Sequence, residues 1–240
     1  MMAVILAGGK GTRLAPLTIT IPKPLLPLGD RPILEVVIDQ LAFAGVTKVV
    51  ITLGHLAHLF QAVLGDGKRF GLEIIYSYEE SPLGTAGPIK FIKNLSDNFI
   101  VINGDILTTL DFKKLYERHT KLDAIGTLAV NRRTVNIDYG VVRFGSDGSL
   151  DAYDEKPKIH YHVSMGVNVL SKKCLEFIPY NQKFDMPDLM MAMKSAGKTV
   201  HCYETDCYWR DIGRMDDFED ASRDFLENPK RFIPNSPGAS

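Results

Sequence analysis

Three glycines in four positions, Gly8, Gly9 and Gly11, follow a short apolar run in LAGGKGTRLAPLT, with Arg13 just beyond them and Lys23 ten residues further on. Without a Cβ, glycine lets backbone N–H groups approach an anion closely, and the C-terminal edge of a first strand is where open α/β sheets place ligands. The stretch Leu6, Ala7, Gly8, Gly9, Gly11, Thr12 and Arg13, together with Lys23, is therefore a candidate site for a nucleotide phosphate. Local charge agrees, because residues 1–29 contain Lys10, Arg13 and Lys23 and no acidic side chain. Two better-known loops do not fit: GGKGTR lacks the Gly-Lys-Ser/Thr ending of a Walker loop and the third glycine of a dinucleotide fingerprint. On these residues alone, a glycine-rich turn with solvated cations is the other reading. Asp105 directly follows the apolar run Phe99 to Asn103, so its carboxylate projects from a sheet edge. A hard divalent cation could be held there between protein oxygen and phosphate, although a turn or helix cap uses the same residue type.

The elements that must carry these residues alternate. Short β-rich runs (Ala3 to Ala7, Val46 to Leu53, Leu72 to Ser77, Phe99 to Asn103) are separated by stretches of helical period (Ile33 to Ala44, Leu56 to Leu64, Thr85 to Ile92). Parallel strands need crossovers, and helical crossovers cover both faces, so residues 1–122 read as a Rossmann-like, doubly wound α/β layer. Asp30 is placed to cap a helix beginning near Pro32, Gly45 to end it, and Asp66-Gly67 to turn the chain. In residues 123–227 the pattern shifts to short strands (Ala124 to Val130, Tyr139 to Phe144, Ser149 to Tyr153, Val163 to Leu170, Thr199 to Tyr203) with helices near 171–178, 186–196 and 215–227. With no internal repeat or flexible linker, one mixed-sheet domain over 1–227 is expected. A Pro- and Ser-rich tail, 228–240, would be frayed or laid on the surface.

Composition bounds the function. The 240 residues are 45% apolar and 24% charged, with 28 basic and 29 acidic residues and a net charge of −1. Such a chain buries a full core and has no global electrostatic claim on nucleic acid or an anionic membrane. Cys174, Cys202 and Cys207 form an odd set without C-x-x-C spacing, against a disulfide framework or thiolate zinc site. The start MMAVILAGG lacks a basic leader and no stretch approaches the roughly 20 apolar residues of a membrane span. A cytoplasmic protein is the expectation, with a homo-oligomer left open. His55 and His58 have no third ligand nearby, Met186, Met190, Met191 and Met193 read as packing, and the acids at 216–220 suit a helix N-terminus.

LAGGKGTRLAPLT followed by PKPLLPLGDRPIL resembles the signature of the sugar-phosphate nucleotidyltransferases, and the resemblance continues through SPLGTAG (81–87), NGD (103–105), YGVV (139–142), DEKP (154–157), SMGVNV (164–169) and YWRDIGRMDDF (208–218). These motifs follow that family's order over residues 3 to about 226. The PKP and PLGTAG forms are most similar to the mannose-1-phosphate guanylyltransferase branch. Many relatives add a C-terminal left-handed β-helix of hexapeptide repeats, which these 240 residues do not contain, so acetyl transfer and β-helix trimerisation are not implied.

The resemblance implies attack of a sugar 1-phosphate oxygen on the α-phosphorus of a nucleoside triphosphate. Both reactants are anions, so alignment and charge neutralisation are the protein's work and no protein nucleophile is needed. It implies that Arg13 meets the phosphates that become pyrophosphate, that Lys23 lies near the reacting centre, and that Asp105 and Asp211 share Mg²⁺. It places Lys156 on the sugar phosphate, Glu155 on sugar hydroxyls, and Gly140, Gly166 and Asn168 in the sugar pocket. Because neighbouring side chains in a strand point to opposite faces, Glu155 and Lys156 can serve one site only if the chain leaves strand geometry near Pro157. The base falls on the loop of Glu79, Pro82, Gly84 and Thr85. A carboxylate is acceptor-only, so Glu79 suits the N–H donors of guanine, with uracil, thymine and a role for Glu80 left open. GTP and mannose 1-phosphate are the expected partners, and UTP, dTTP or CTP with glucose, heptose or amino-sugar 1-phosphates the alternatives. A non-catalytic nucleotide-sugar-binding regulatory subunit is the reading from another class.

Overall fold

A computed structural model describes residues 1–233. Strand β1 (Met2–Ala7) is buried on both faces, as a central strand of a doubly covered sheet must be. After it come 3-10 turns at Thr12–Leu14 and Lys23–Leu25, a small hairpin of β2 (Pro27–Leu28) and β3 (Arg31–Pro32), then α1 (Ile33–Phe43), β4 (Lys48–Leu53), α2 (Ala57–Leu64), β5 (Glu73–Tyr78), β6 (Asn98–Asn103), β7 (Ile106–Thr108) and α3 (Phe112–Leu122). The later part comprises β8 (Gly126–Asn136), β9 (Val141–Phe144), β10 (Leu150–Asp154), β11 (Lys158–Ser171), α4 (Met186–Ser195), β12 (Val200–Thr205), β13 (Trp209–Asp211) and α5 (Met215–Glu227). No helix among the described residues is long and apolar enough to cross a membrane.

Seven strands form one twisted sheet in the order β12-β8-β11-β6-β1-β4-β5. Neighbouring strands are parallel except β11, which runs antiparallel to both β6 and β8. That reversal matters for position: Val167 of β11 lies opposite Ile102 of β6, so Met165 and Gly166 arrive at the edge where β6 ends and Asp105 follows. Alternation then sorts the core. Ala3, Ile5, Val49 and Ile51 pack beneath α1, α2 and α3, while Val4, Val50 and Val101 pack beneath the 86–95 segment and α4.

A third apolar cluster lies outside these layers. Leu14, Leu26 and Leu28 from the loop after β1 pack with Leu107 of β7, Ile212 beside β13, and Ala221 and Phe225 of α5. Leu14 adjoins Arg13, Ile212 adjoins Asp211 and Leu107 lies two residues from Asp105, so this cluster ties the glycine loop to the β7–β13 ribbon.

Several local expectations are corrected. Thr85 to Ile92 is a 3-10 stretch, Gly87–Phe91, with Pro88 in its first turn, and 171–178 is likewise a 3-10 stretch, Lys172–Phe177. Asp30 does not cap α1: Pro32 occupies the N-cap, and Gly29 (φ +66°) with Asp30 makes the β2–β3 turn. Helix α3 was hidden by its charge. It is capped by Asp111, whose carboxylate accepts from the Lys114 N–H at 2.9 Å, and it buries Phe112, Leu115 and His119 at i, i+3 and i+7. Within the tail, residues 229–231 form a 3-10 turn and Phe232, 1% exposed, closes the third cluster, so that part is not frayed; residues 234–240 lie outside the described residues.

His119 is fully buried, with Nε2 against Asn98 Oδ1 at 3.2 Å and Nδ1 against the Thr127 hydroxyl at 2.9 Å. Burial pushes its pKa from the ordinary 6.5 down to about 4, the charges of Asp123 and His201 adding smaller opposed effects. Because the folded state holds the imidazole neutral, this stabilisation is complete above 6.5 and is lost as pH falls from 6.5 toward 4. Urea unfolding followed across that range should show a slope contribution of about 1.4 kcal/mol per pH unit that His119→Gln removes. An unchanged slope in the variant would contradict it.

Candidate active site

At the end of β1 the backbone of Gly8 crosses that of Gly54 without side chains. A Cβ on Gly54 would lie 2.9 Å from the Gly8 carbonyl oxygen, and one on Gly8 would lie 2.6 Å from Glu79 Oε1. Gly9 faces open space, with no atom within 4 Å of where its Cβ would be. Gly11 takes φ +62°, and its carbonyl accepts from the Thr18 hydroxyl at 2.8 Å and the Leu14 N–H at 2.9 Å. The loop is thus pinned from the protein side while Gly9 stays uncovered, the arrangement expected where backbone must meet a ligand. Leu6 and Ala7 complete the wall, and the Leu6 carbonyl accepts from the Gly104 N–H at 3.0 Å, tying this edge to Asp105.

Lys23, 9% exposed, forms an ion pair with Asp105 Oδ2. The second oxygen, Oδ1, is buried and has no hydrogen-bond partner among the described residues. Burying half a carboxylate unpaired is costly, so this oxygen points to a missing cationic or N–H/O–H partner. Asp211 stands at the end of β13, opposite Ile106 of β7, and the Ile212 N–H donates to the Asp105 carbonyl at 3.1 Å. Although its side chain reaches solvent, the pKa of Asp211 is raised, first by loss of surrounding water and next by the charge of Asp105, against the lowering effects of Lys23 and Arg13. The guanidinium of Arg13 lies over Gly213, 3.5 Å from where a Cβ there would be. Four charged groups from three distant segments therefore converge. Two carboxylates, one with an unpartnered buried oxygen, fit a divalent cation completed by substrate oxygens and water. Arg13, Lys10 and Lys156 take part in none of the ion pairs among the described residues.

Glu79 begins the next loop. Its Oε2 accepts from the Leu83 N–H at 3.0 Å while Oε1 lies against Gly8, and burial raises its pKa despite that hydrogen bond. Gly84 and Thr85 meet α4 instead. Gly84 (φ +80°) has no room for a Cβ beside Phe184 and Asp185, the Thr85 N–H donates to Asp185 Oδ1 at 3.0 Å, and the Thr85 hydroxyl accepts from the Met186 N–H at 2.7 Å. These two residues hold the loop's shape, leaving Glu79 and the exposed Pro82 on the open side.

On the other flank, Gly166 takes φ +69° and a Cβ there would lie 2.5 Å from Asn103 Nδ2. Asn168 is 3% exposed and its Oδ1 has no hydrogen-bond partner among the described residues. Gly140 is explained by Tyr153, whose hydroxyl occupies the space a Cβ would need. Glu155 and Lys156 form an exposed bend between β10 and β11, Lys156 at φ +46°, so the chain does leave strand geometry there. No hydrogen bond or ion pair among the described residues joins this bend to Lys23 or Asp105. Thr18, Asn103, Tyr153, Asp185 and Trp209 are not among the site candidates read from the sequence; of these, Asn103, inside NGD, and Trp209, inside YWRDIGRMDDF, carry a local signal. Gly166→Ala should destabilise the chain by about 1–2 kcal/mol, because φ is left-handed and Asn103 must move. Gly9→Ala should cost under about 0.5 kcal/mol. Equal losses in urea unfolding would remove the distinction between a packing and a ligand-facing glycine.

The nucleotidyl transferase family model matches residues 2–228. The chain is 33% identical to a mannose-1-phosphate guanyltransferase of Aspergillus fumigatus, over 98% of this chain and 68% of that protein. It is 32% identical to a UTP–glucose-1-phosphate uridylyltransferase of Synechocystis, over 94% of this chain and 63% of that one. Thus the chain spans roughly two thirds, or slightly less, of the length of these curated relatives. Among solved structures, HddC from Yersinia pseudotuberculosis is 28% identical with a TM-score of 0.72, covering 93% of this chain and 99% of that one; HddC is also known complexed with GMP-PN. Motif order, sheet topology and the convergence of Arg13, Lys23, Asp105 and Asp211 agree with this match: the chain belongs to the nucleotidyl transferase family.

Proposed function

We propose that the chain catalyses nucleotidyl transfer to a sugar 1-phosphate. A phosphate oxygen of the sugar attacks the α-phosphorus of a nucleoside triphosphate; a P–O bond forms to it as the bond to the bridging β-phosphate oxygen breaks, giving a nucleoside-diphosphate sugar and pyrophosphate. The observation that carries this reading is the unpartnered buried oxygen of Asp105 beside Lys23, at the edge where the glycine loop ends. The relatives, a mannose-1-phosphate guanyltransferase and a UTP–glucose-1-phosphate uridylyltransferase, support the reaction class.

In this reading Arg13 binds the departing phosphates and Lys23 the phosphates at the reacting centre, with backbone at Gly8, Gly9, Gly11 and Thr12 lining the approach. Asp105 and Asp211 would hold Mg²⁺, which when bound neutralises charge on the triphosphate oxygens. Lys156 approaches the sugar phosphate and Glu155 the sugar hydroxyls by way of the exposed bend, while Gly166 and Asn168 form the pocket floor. Glu79 reads the base. Its Oε2 is held by Leu83, leaving Oε1 as acceptor for guanine N–H groups, so GTP with mannose 1-phosphate is the first-choice pair. HddC with GMP-PN supports a guanine nucleotide. Other bases and sugars are the alternatives, and a cytoplasmic setting fits these substrates.

Pyrophosphate release should be measured for four ribonucleotides and dTTP against mannose, glucose, N-acetylglucosamine and heptose 1-phosphates, with Mg²⁺ or EDTA. EDTA-sensitive release with GTP and mannose 1-phosphate is expected. Arg13→Ala should raise the KM for the triphosphate about 10- to 100-fold and that for the sugar phosphate less than about twofold. No release with any pair, alongside measurable nucleotide-sugar binding, would replace the enzyme with the regulatory subunit.

A further inference from the structure

Trp209 links parts of the site that are distant in the chain. It lies on β13 opposite Thr108, two residues before Asp211. Its indole Nε1–H donates to the carbonyl of Met165 at 2.8 Å. Met165, fully buried, opens a bulge in β11: from Ser164, opposite Val130, to Asn168, opposite Leu128, β11 advances four residues while β8 advances two. An excess of this kind breaks the ladder and re-aims side chains. Here it sets Gly166 at φ +69° against Asn103 and places the unpartnered Asn168 Oδ1 near the sheet edge. On its other side, Trp209 is held by β8, because Arg133 Nη2 donates to its carbonyl at 2.9 Å and the guanidinium sits 5.1 Å over the indole.

We propose that Trp209 is a positioning residue: its N–H fixes the bulge bearing Gly166 and Asn168 in register with Asp211, so that affinity for the sugar 1-phosphate, and not for the triphosphate, depends on the Trp209–Met165 hydrogen bond. The ligand in this statement rests on the nucleotidyl-transfer reading; the anchor does not. Within a bulge the Met165 carbonyl has no regular ladder partner to fall back on, so losing the indole donor leaves a buried acceptor unsatisfied. Asp211 is held by its pairing with Ile106 and by the Ile212 N–H on the Asp105 carbonyl, neither of which uses the indole, so it keeps its position together with the glycine loop, Arg13 and Glu79.

Trp209 is the chain's one tryptophan, so replacing tryptophan during expression with β-(3-benzothienyl)alanine alters this position alone and removes the N–H while keeping the ring. The expected result is a KM for the sugar 1-phosphate raised about tenfold, the equivalent of 1.4 kcal/mol, with the triphosphate KM unchanged and faster hydrogen exchange confined to residues 164–168. Trp209→Phe, a genetically encoded variant, should show the same split. An unchanged sugar KM, or equal weakening of both substrates, overturns the proposal. If the wild-type chain transfers no nucleotide to any sugar phosphate, the reaction reading fails instead, and hydrogen exchange alone judges the anchor: unchanged protection at 164–168 overturns it.

Discussion

The pairing of Lys23 with one oxygen of Asp105 is the interaction around which the rest is arranged. An ion pair this buried gains little for stability after desolvation, and the unpartnered second oxygen makes the arrangement worse for the free protein. Such a site persists only where surrounding structure over-determines it. The cluster of Leu14, Leu26, Leu28, Leu107, Ile212 and Phe225 supplies such support, with Leu14 adjoining Arg13, Ile212 adjoining Asp211, and Leu26 and Leu107 within three residues of Lys23 and Asp105. Strain accepted in the free chain becomes pre-organisation once cationic and anionic groups arrive together.

One antiparallel strand brings the second half of the chain to the same edge. Had β11 run parallel to β6, Gly166 and Asn168 would stand at the opposite end of the sheet from Asp105. Reversal solves the placement, and the bulge at 164–168 adjusts the fine aim. The bend at Glu155 and Lys156 is different in kind, being exposed and joined to the Asp105 group by no hydrogen bond or ion pair among the described residues. A braced cationic edge facing a freer flank suits the proposed reaction, in which one anion must be held while another is aligned to it.

Much of this was legible in the sequence, for local reasons. Glycine spacing exposed the loop, and the absence of acids before Asp30 exposed its charge. Asp105 could be read because it follows a strongly apolar strand. Asp211 could be assigned only by resemblance, since β13 is three residues long and shows no period. Helix α3 escaped because its charged residues mask the apolar period and a buried histidine stands where an apolar residue would have completed it. Thr85 and Gly84 are held by Asp185, about 100 residues away, a contact no local pattern reports. The third cluster was invisible for the same reason, its members being scattered from Leu14 to Phe232.

In the proposed reaction this edge aligns two anions for direct displacement without a covalent nucleotidyl-enzyme. The stereochemical course at the α-phosphorus tests it most directly, using one diastereomer of an α-thio nucleoside triphosphate with the sugar 1-phosphate that supports turnover. A single in-line attack predicts inversion of configuration in the nucleoside-diphosphate sugar. Net retention would mean two displacements and a protein nucleophile, and would rule out direct transfer between the two substrates.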